Sequence, residues 1–172
     1  MSWLRRFFGA MSPEEMAGIT LPNPQWVLPE KVTDPSRFLA ALHLLAPKDA
    51  LLFVEGGRHP PDLKAFLEAR QVQPSRRPAL GTVWPRHTYY SLPATEDTLG
   101  ELARLAKSLA TPEICDHLHL FSGSDVLLEG HDAFGYEFYV SGLVPEETLI
   151  AFCAAARCGY RPFHQVGAPG AD

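Results

Sequence analysis

Long apolar runs, paired cysteines and, over residues 69–95, acidic side chains are what this sequence lacks. No stretch of the 172 residues approaches the ~18 consecutive apolar residues of a membrane-crossing helix. Arg5 and Arg6 break the early apolar residues and Glu14 and Glu15 follow, which is not the pattern of a secretory leader. The three cysteines, Cys115, Cys153 and Cys158, are odd in number and lack C-x-x-C spacing. They therefore argue against a disulfide framework and for a reducing compartment, and the protein is expected to be cytoplasmic. Cys153 and Cys158 lie five apart on one expected helix, so they should point to different faces as small apolar groups. There is also no G-x-G-x-x-G, no G-K-[ST], no H-E-x-x-H and no G-x-S-x-G. Dinucleotide folds, P-loops, zincin helices and nucleophile elbows thus have no signature here.

Acidic residues are missing altogether from 69–95, which holds Arg70, Arg76, Arg77, Arg86 and His87 interleaved with Trp84, Tyr89 and Tyr90. Basic groups among stackable rings suit a single-stranded nucleic acid or another anion, with Arg76, Arg77 and Arg86 as the binding candidates. The total charge of -5 opposes general nucleic-acid binding, because phosphate neutralisation needs excess positive charge on the contact face. That total hides a split. Residues 1–86 carry 11 Lys and Arg against 8 Asp and Glu, and residues 87–172 carry 4 against 12. The arginines of the acid-free stretch can therefore be answered by the acidic half of the same molecule.

What is present reads as one domain. A 46% apolar fraction supports a core of ordinary size, with no need of a metal or disulfide to explain folding. At the amino end, Trp3, Leu4, Phe7 and Phe8 would share one face of a short helix. They are candidates for docking a protein partner or a second copy. Prolines 22, 24 and 29 make 19–33 an extended connection running over the surface. Asp34-Pro35 caps a helix carrying Phe38, Leu39, Leu42 and Leu45. Ala50–Val54 reads as a buried strand. A Gly56-Gly57 turn follows it, and Pro61-Asp62 opens a helix. Thr95 caps the next one, over 96–109.

The chain is organised around residues 117–159. Leu118 and Leu120 alternate with His117, His119 and Phe121, the period of a strand with its leucines inward and its histidines on the solvent side. Val126–Glu129 and Tyr136–Val140 give two more strands, and Pro145-Glu146-Glu147 opens the last helix. The expected fold is mixed α/β (α+β): a single domain over 34–166, after an arm and proline-rich connection over 1–33 and before a loose tail over 167–172. Strands separated by helices favour a parallel part of a mixed sheet, and the final three an antiparallel part.

One constellation has chemical content: His117, His119, Glu129, His131 and Asp132. Imidazole and carboxylate ligands suit a divalent transition metal, and hairpin register decides whether they meet. If Phe121 faces Val126, then His119 faces Leu128 and Glu129 turns away. If Ser122 faces Val126, then His119 faces Glu129 and His117 faces His131. The leading functional expectation is a non-catalytic protein-interaction or accessory domain without a cofactor. The alternative is a metal-dependent hydrolase built on the His/Glu/Asp cluster, and a weaker one is anion or nucleic-acid binding by 69–95.

Overall fold

The computed structural model describes residue 21 and residues 23–28, 31–73 and 88–163. In chain order the elements are β1 (Pro24–Leu28), α1 (Pro35–Ala41), β2 (Leu51–Glu55), α2 (Pro61–Arg70) and β3 (Tyr89–Pro93). There follow α3 (Glu96–Ala106), α4 (Thr111–Ile114), β4 (His117–Ser122), β5 (Asp125–His131), β6 (Phe138–Ser141), α5 (Glu146–Ala156) and β7 (Arg161–Pro162). Helix starts follow the side chains that satisfy their free N–H groups. The Asp34 carboxylate accepts the Arg37 N–H at 3.0 Å, and Thr95 Oγ1 accepts the Thr98 N–H at 3.2 Å.

The strands form one seven-stranded sheet in the order β3-β2-β4-β5-β6-β1-β7. With the helices flanking it, the molecule is a mixed α+β single domain. The expected parallel part does not occur among the described residues, where every pairing is antiparallel. The reason lies in strand order for most helix-linked pairs and in strand direction for one. The pairings make β1 and β2, β3 and β4, and β6 and β7 run the same way, as helix-linked strands do. In each case at least one other strand lies between the two. Only β2 and β3, joined through α2, are neighbours, and they are antiparallel.

The proline-rich connection is also corrected. Pro24–Leu28 is extended, but it is a strand inside the sheet, paired to β6 and β7, with Val27 and Leu28 fully buried. Proline removes ladder donors, yet Gln25 to Leu28 keep theirs. Pro24 sits at a register irregularity, where a missing N–H is tolerated. The packed body therefore begins upstream of residue 34. Tyr136 lies outside β6 and is 65% exposed, so that strand is shorter than its alternation suggests.

The pleat sends the two sets of side chains to chemically different surroundings. One face carries Leu52, Val54, Leu118, Leu120, Leu128, Phe138 and Val140, which join the inner residues of α1, α2, α3 and α5 in one core. Phe38 of α1 is its hub, with ring centroids 4.6 Å from Phe138, 5.2 Å from Phe152 and 5.8 Å from Phe134. Ser36 Oγ donates to the Ala103 carbonyl at 2.8 Å, tying α1 to α3. The other face carries Phe53, His119, Phe121, Glu129 and Val27, all buried, and none of them belongs to the helix-side core.

Gly130 on β5 lies flat beneath Phe138, and a Cβ there would run into that ring. Gly130→Ala is expected to cost about 2 kcal/mol in urea unfolding, since a packed core cannot make room for it. Gly100, in the exposed face of α3 with nothing near its Cβ position, should do the opposite. Gly100→Ala is expected to gain about 0.5–1 kcal/mol in the same assay.

Candidate metal centre

The hairpin between β4 and β5 combines both registers that the sequence allows. At its tip Ser122 pairs with Asp125 and Phe121 with Val126, around a tight turn in which Gly123 has a φ of +61°. One pair further on the register shifts, so that Leu120 meets Leu128, His119 meets Glu129 and His117 meets His131. The extra residue is Leu127, a bulge that turns the carboxylate and imidazole of β5 onto the face that carries the histidines of β4. The tip keeps its two-residue turn and the ladder below keeps its polar pairs.

Three of the five candidates come together. One donor atom each from His119, Glu129 and His131 lies within 4.8 Å of the other two. Glu129 has no exposure and His119 has 1%; the His131 side chain keeps 25%. The solvent-side placement expected for His119 is thus corrected, for it is buried on the face away from the leucines. His131 Nε2 is 2.6 Å from Glu129 Oε1, a short charge-assisted contact in which the imidazole N–H donates. Both ring nitrogens of His119 are buried without a hydrogen-bond partner. Its ring lies edge-on to Phe53, at 6.3 Å between centroids, and to His131, at 5.6 Å. Burial drives its pKa from 6.5 down to about 4, and the carboxylate of Glu129 only partly opposes that. His119 is therefore a neutral imidazole at pH 7, the form that can donate a lone pair to a cation.

His117 and Asp132 stand beside this group rather than in it. The His117 ring centroid is 5.1 Å from that of His131, and the Asp132 backbone N–H donates to His117 Nδ1 at 3.3 Å. Because Nδ1 accepts, the neutral ring carries its proton on Nε2. Burial and the neighbouring His131 lower the His117 pKa. Asp132 itself is exposed, with a φ of +46°, and contributes backbone rather than carboxylate.

One residue of the site was not legible as such. Glu55, 5% exposed, pairs with His117 across β2 and β4 and with Tyr89 across β2 and β3. A row Tyr89–Glu55–His117–His131 thus crosses four strands on one face, beside the row Phe53–His119–Glu129–Tyr139. The only signal in the sequence is that Glu55 follows Phe53 by two and shares its face. It becomes useful once β2 is known to lie next to β4.

The remaining candidates give no site among the described residues. Trp3, Leu4, Phe7 and Phe8, and Arg76, Arg77 and Arg86, lie outside them. Of the acid-free stretch, Arg70 is paired with Asp97 at 3.1 Å, which fits arginines answered within the molecule. The Gly56-Gly57 turn lines a polar groove with Arg58, His59 and Lys64. Its glycines answer to backbone geometry: Gly56 has a φ of +68°, and a Cβ there would collide with Asp116. The Asp116 carboxylate takes the Gly57 N–H at 3.1 Å. Comparison with protein-family models, with curated proteins and with solved structures finds no match to this chain.

The depressed pKa of His119 makes stability depend on pH in the metal-free protein. The unfolded chain protonates this residue near pH 6.5 and the folded one only near 4. Between those values the unfolded state binds more protons, so stability held above pH 6.5 is lost as the pH falls to about 4. The loss is on the order of 3 kcal/mol. Denaturant unfolding in the presence of chelator should show this slope, and His119→Phe should flatten it.

Proposed function

We propose that this protein binds one zinc-class divalent ion through His119, Glu129 and His131 and uses it in hydrolysis. The observation that carries the reading is the His119 imidazole. It is neutral, buried and unpartnered at both nitrogens, and it faces a buried carboxylate and a second imidazole at ligand spacing. A buried polar atom without a partner is costly, and a metal would give one of those nitrogens its bond. Two imidazoles and one carboxylate are a ligand set that zinc enzymes use, three protein ligands leaving a position for water or substrate. The partly exposed His131 marks the side from which solvent reaches the group. Glu55, buried one row away, is the carboxylate that would accept a proton from a metal-activated water.

No described helix is long and apolar enough to cross a membrane. The free cysteines support a reducing, cytoplasmic setting. The reading as a protein-interaction domain rests on Trp3, Leu4, Phe7 and Phe8, and the reading as an anion or nucleic-acid binder on Arg76, Arg77 and Arg86. Both sets lie outside the described residues.

Protein purified without a nickel column should carry about one zinc per chain by elemental analysis, and chelation should lower its melting temperature. Glu129→Gln and His131→Ala should each weaken zinc at least roughly a hundred-fold, whereas His117→Gln should retain it. A chain that takes up no divalent ion, and whose melting is indifferent to zinc, would overturn the proposal.

A further inference from the structure

Five residues apart on a continuing helix, Cys153 and Cys158 would diverge. In the folded chain they meet. Helix α5 ends at Ala156, and Arg157 takes the left-handed conformation, with φ 55° and ψ 45°. The Cys158 N–H then donates back to the Cys153 carbonyl at 3.1 Å. This six-to-one bond is the mark of a Schellman ending, in which the side chains at the two joined positions pack on each other. Ordinarily they are a pair of apolar groups; here both are thiols.

The turn makes the two thiols neighbours. Cys153 is buried and Cys158 half-buried, so one partner is sheltered and the other can be reached. The Cys153 thiol also lies 3.9 Å from the Gly159 carbonyl, inside the same turn. Beside its neighbour the Cys158 thiol is pushed down, and the Cys153 thiol is pushed up, with burial adding to the rise. An accessible, acidified sulfur beside a protonated, sheltered one is the division of labour found in reactive cysteine pairs. The backbone bond holds the two Cα atoms close, as a disulfide requires.

We infer that Cys153 and Cys158 are a modification site for small hydroperoxides, closing to a reversible disulfide across the end of α5. The Cys158 thiolate attacks the peroxide, the O–O bond breaks, and the sulfur becomes a sulfenic acid while hydroxide leaves and takes up the proton that the Cys158 thiol released, as water. The Cys153 sulfur then attacks that sulfenyl sulfur. The S–S bond forms, the S–O bond breaks, and the departing hydroxide takes the Cys153 proton as a second water. Two thiols are oxidised to one disulfide and one hydrogen peroxide is reduced to two waters. The bond would fasten α5 to the segment leading into β7, whose Tyr160 packs edge-on against Trp26 at 5.5 Å.

The full-length reduced protein is treated with hydrogen peroxide, quenched with iodoacetamide in denaturant and weighed intact, and then digested with trypsin. The expected product is lighter by two hydrogens before alkylation and has only Cys115 alkylated. Its two peptides, parted by cleavage after Arg157, should stay joined until dithiothreitol is added. Cys153→Ser and Cys158→Ser should each abolish the product, and Cys115→Ser should leave it unchanged. The oxidised form should melt higher by about 5 °C. Linkage through Cys115, or oxygen added to Cys158 with no internal bond, would overturn the inference. So would equal alkylation of all three thiols after peroxide.

Discussion

The candidate metal centre depends on where the register of β4 against β5 shifts. A two-residue turn and a straight ladder would place Glu129 among the leucines of the helix-side core. A carboxylate buried there without a partner would carry a penalty of several kcal/mol. The bulge at Leu127 removes the conflict. Leu127 and Leu128 are both taken into the helix-side core, so two successive residues do what alternation would assign to one. Beyond them the strand resumes its period with Glu129 and His131 on the other face. The same single residue therefore completes an apolar core on one side and assembles a polar cluster on the other.

That division of faces explains which parts of the fold were legible in the sequence. Helix starts at Asp34 and Thr95 were readable because a cap is a local event, settled within four residues. The leucines of β4 were readable because one face of the strand meets a core and the period of two records it. Adjacency was not, since it depends on which strands are inserted between two helix-linked partners, and no local pattern encodes that. Proline misled for a related reason. At position 24 it marks the start of a short strand as readily as a surface linker, and only the pairing of Trp26 with Val140 decides between them.

The candidate site was legible as a set of residue types and ambiguous as a geometry. Both registers considered for the hairpin are realised, one at its tip and one below it, because a bulge lets the chain change register partway along. Nothing in SGSDVLLEGH announces that change. Glu55 stayed hidden behind the same ignorance of adjacency: a lone carboxylate at a strand end means little until His117 is seen beside it. The cysteines show the converse. Their five-residue spacing looked inert under helical periodicity, and the left-handed Arg157 is what folds one onto the other.

The three histidines of the two central strands are equal in the sequence and unequal in the fold. His119 is stripped of every hydrogen bond by burial, which leaves it neutral with both nitrogens uncommitted. His131 is half of a short pair with Glu129, so its proton and that carboxylate's charge are already coupled. His117 is held by a backbone N–H from Asp132, a residue forced to positive φ in a turn that also holds the buried Phe134 at a φ of 69°. Two non-glycine residues in that region cost about 1 kcal/mol or more each, and Phe134 offsets part of this through its contacts with Phe38 and Phe138. The aromatic hub on one face thus sustains a strained turn whose amide fixes the tautomer of an imidazole on the other. By that route the packing of the core selects which histidines can offer a lone pair and which can offer only a proton.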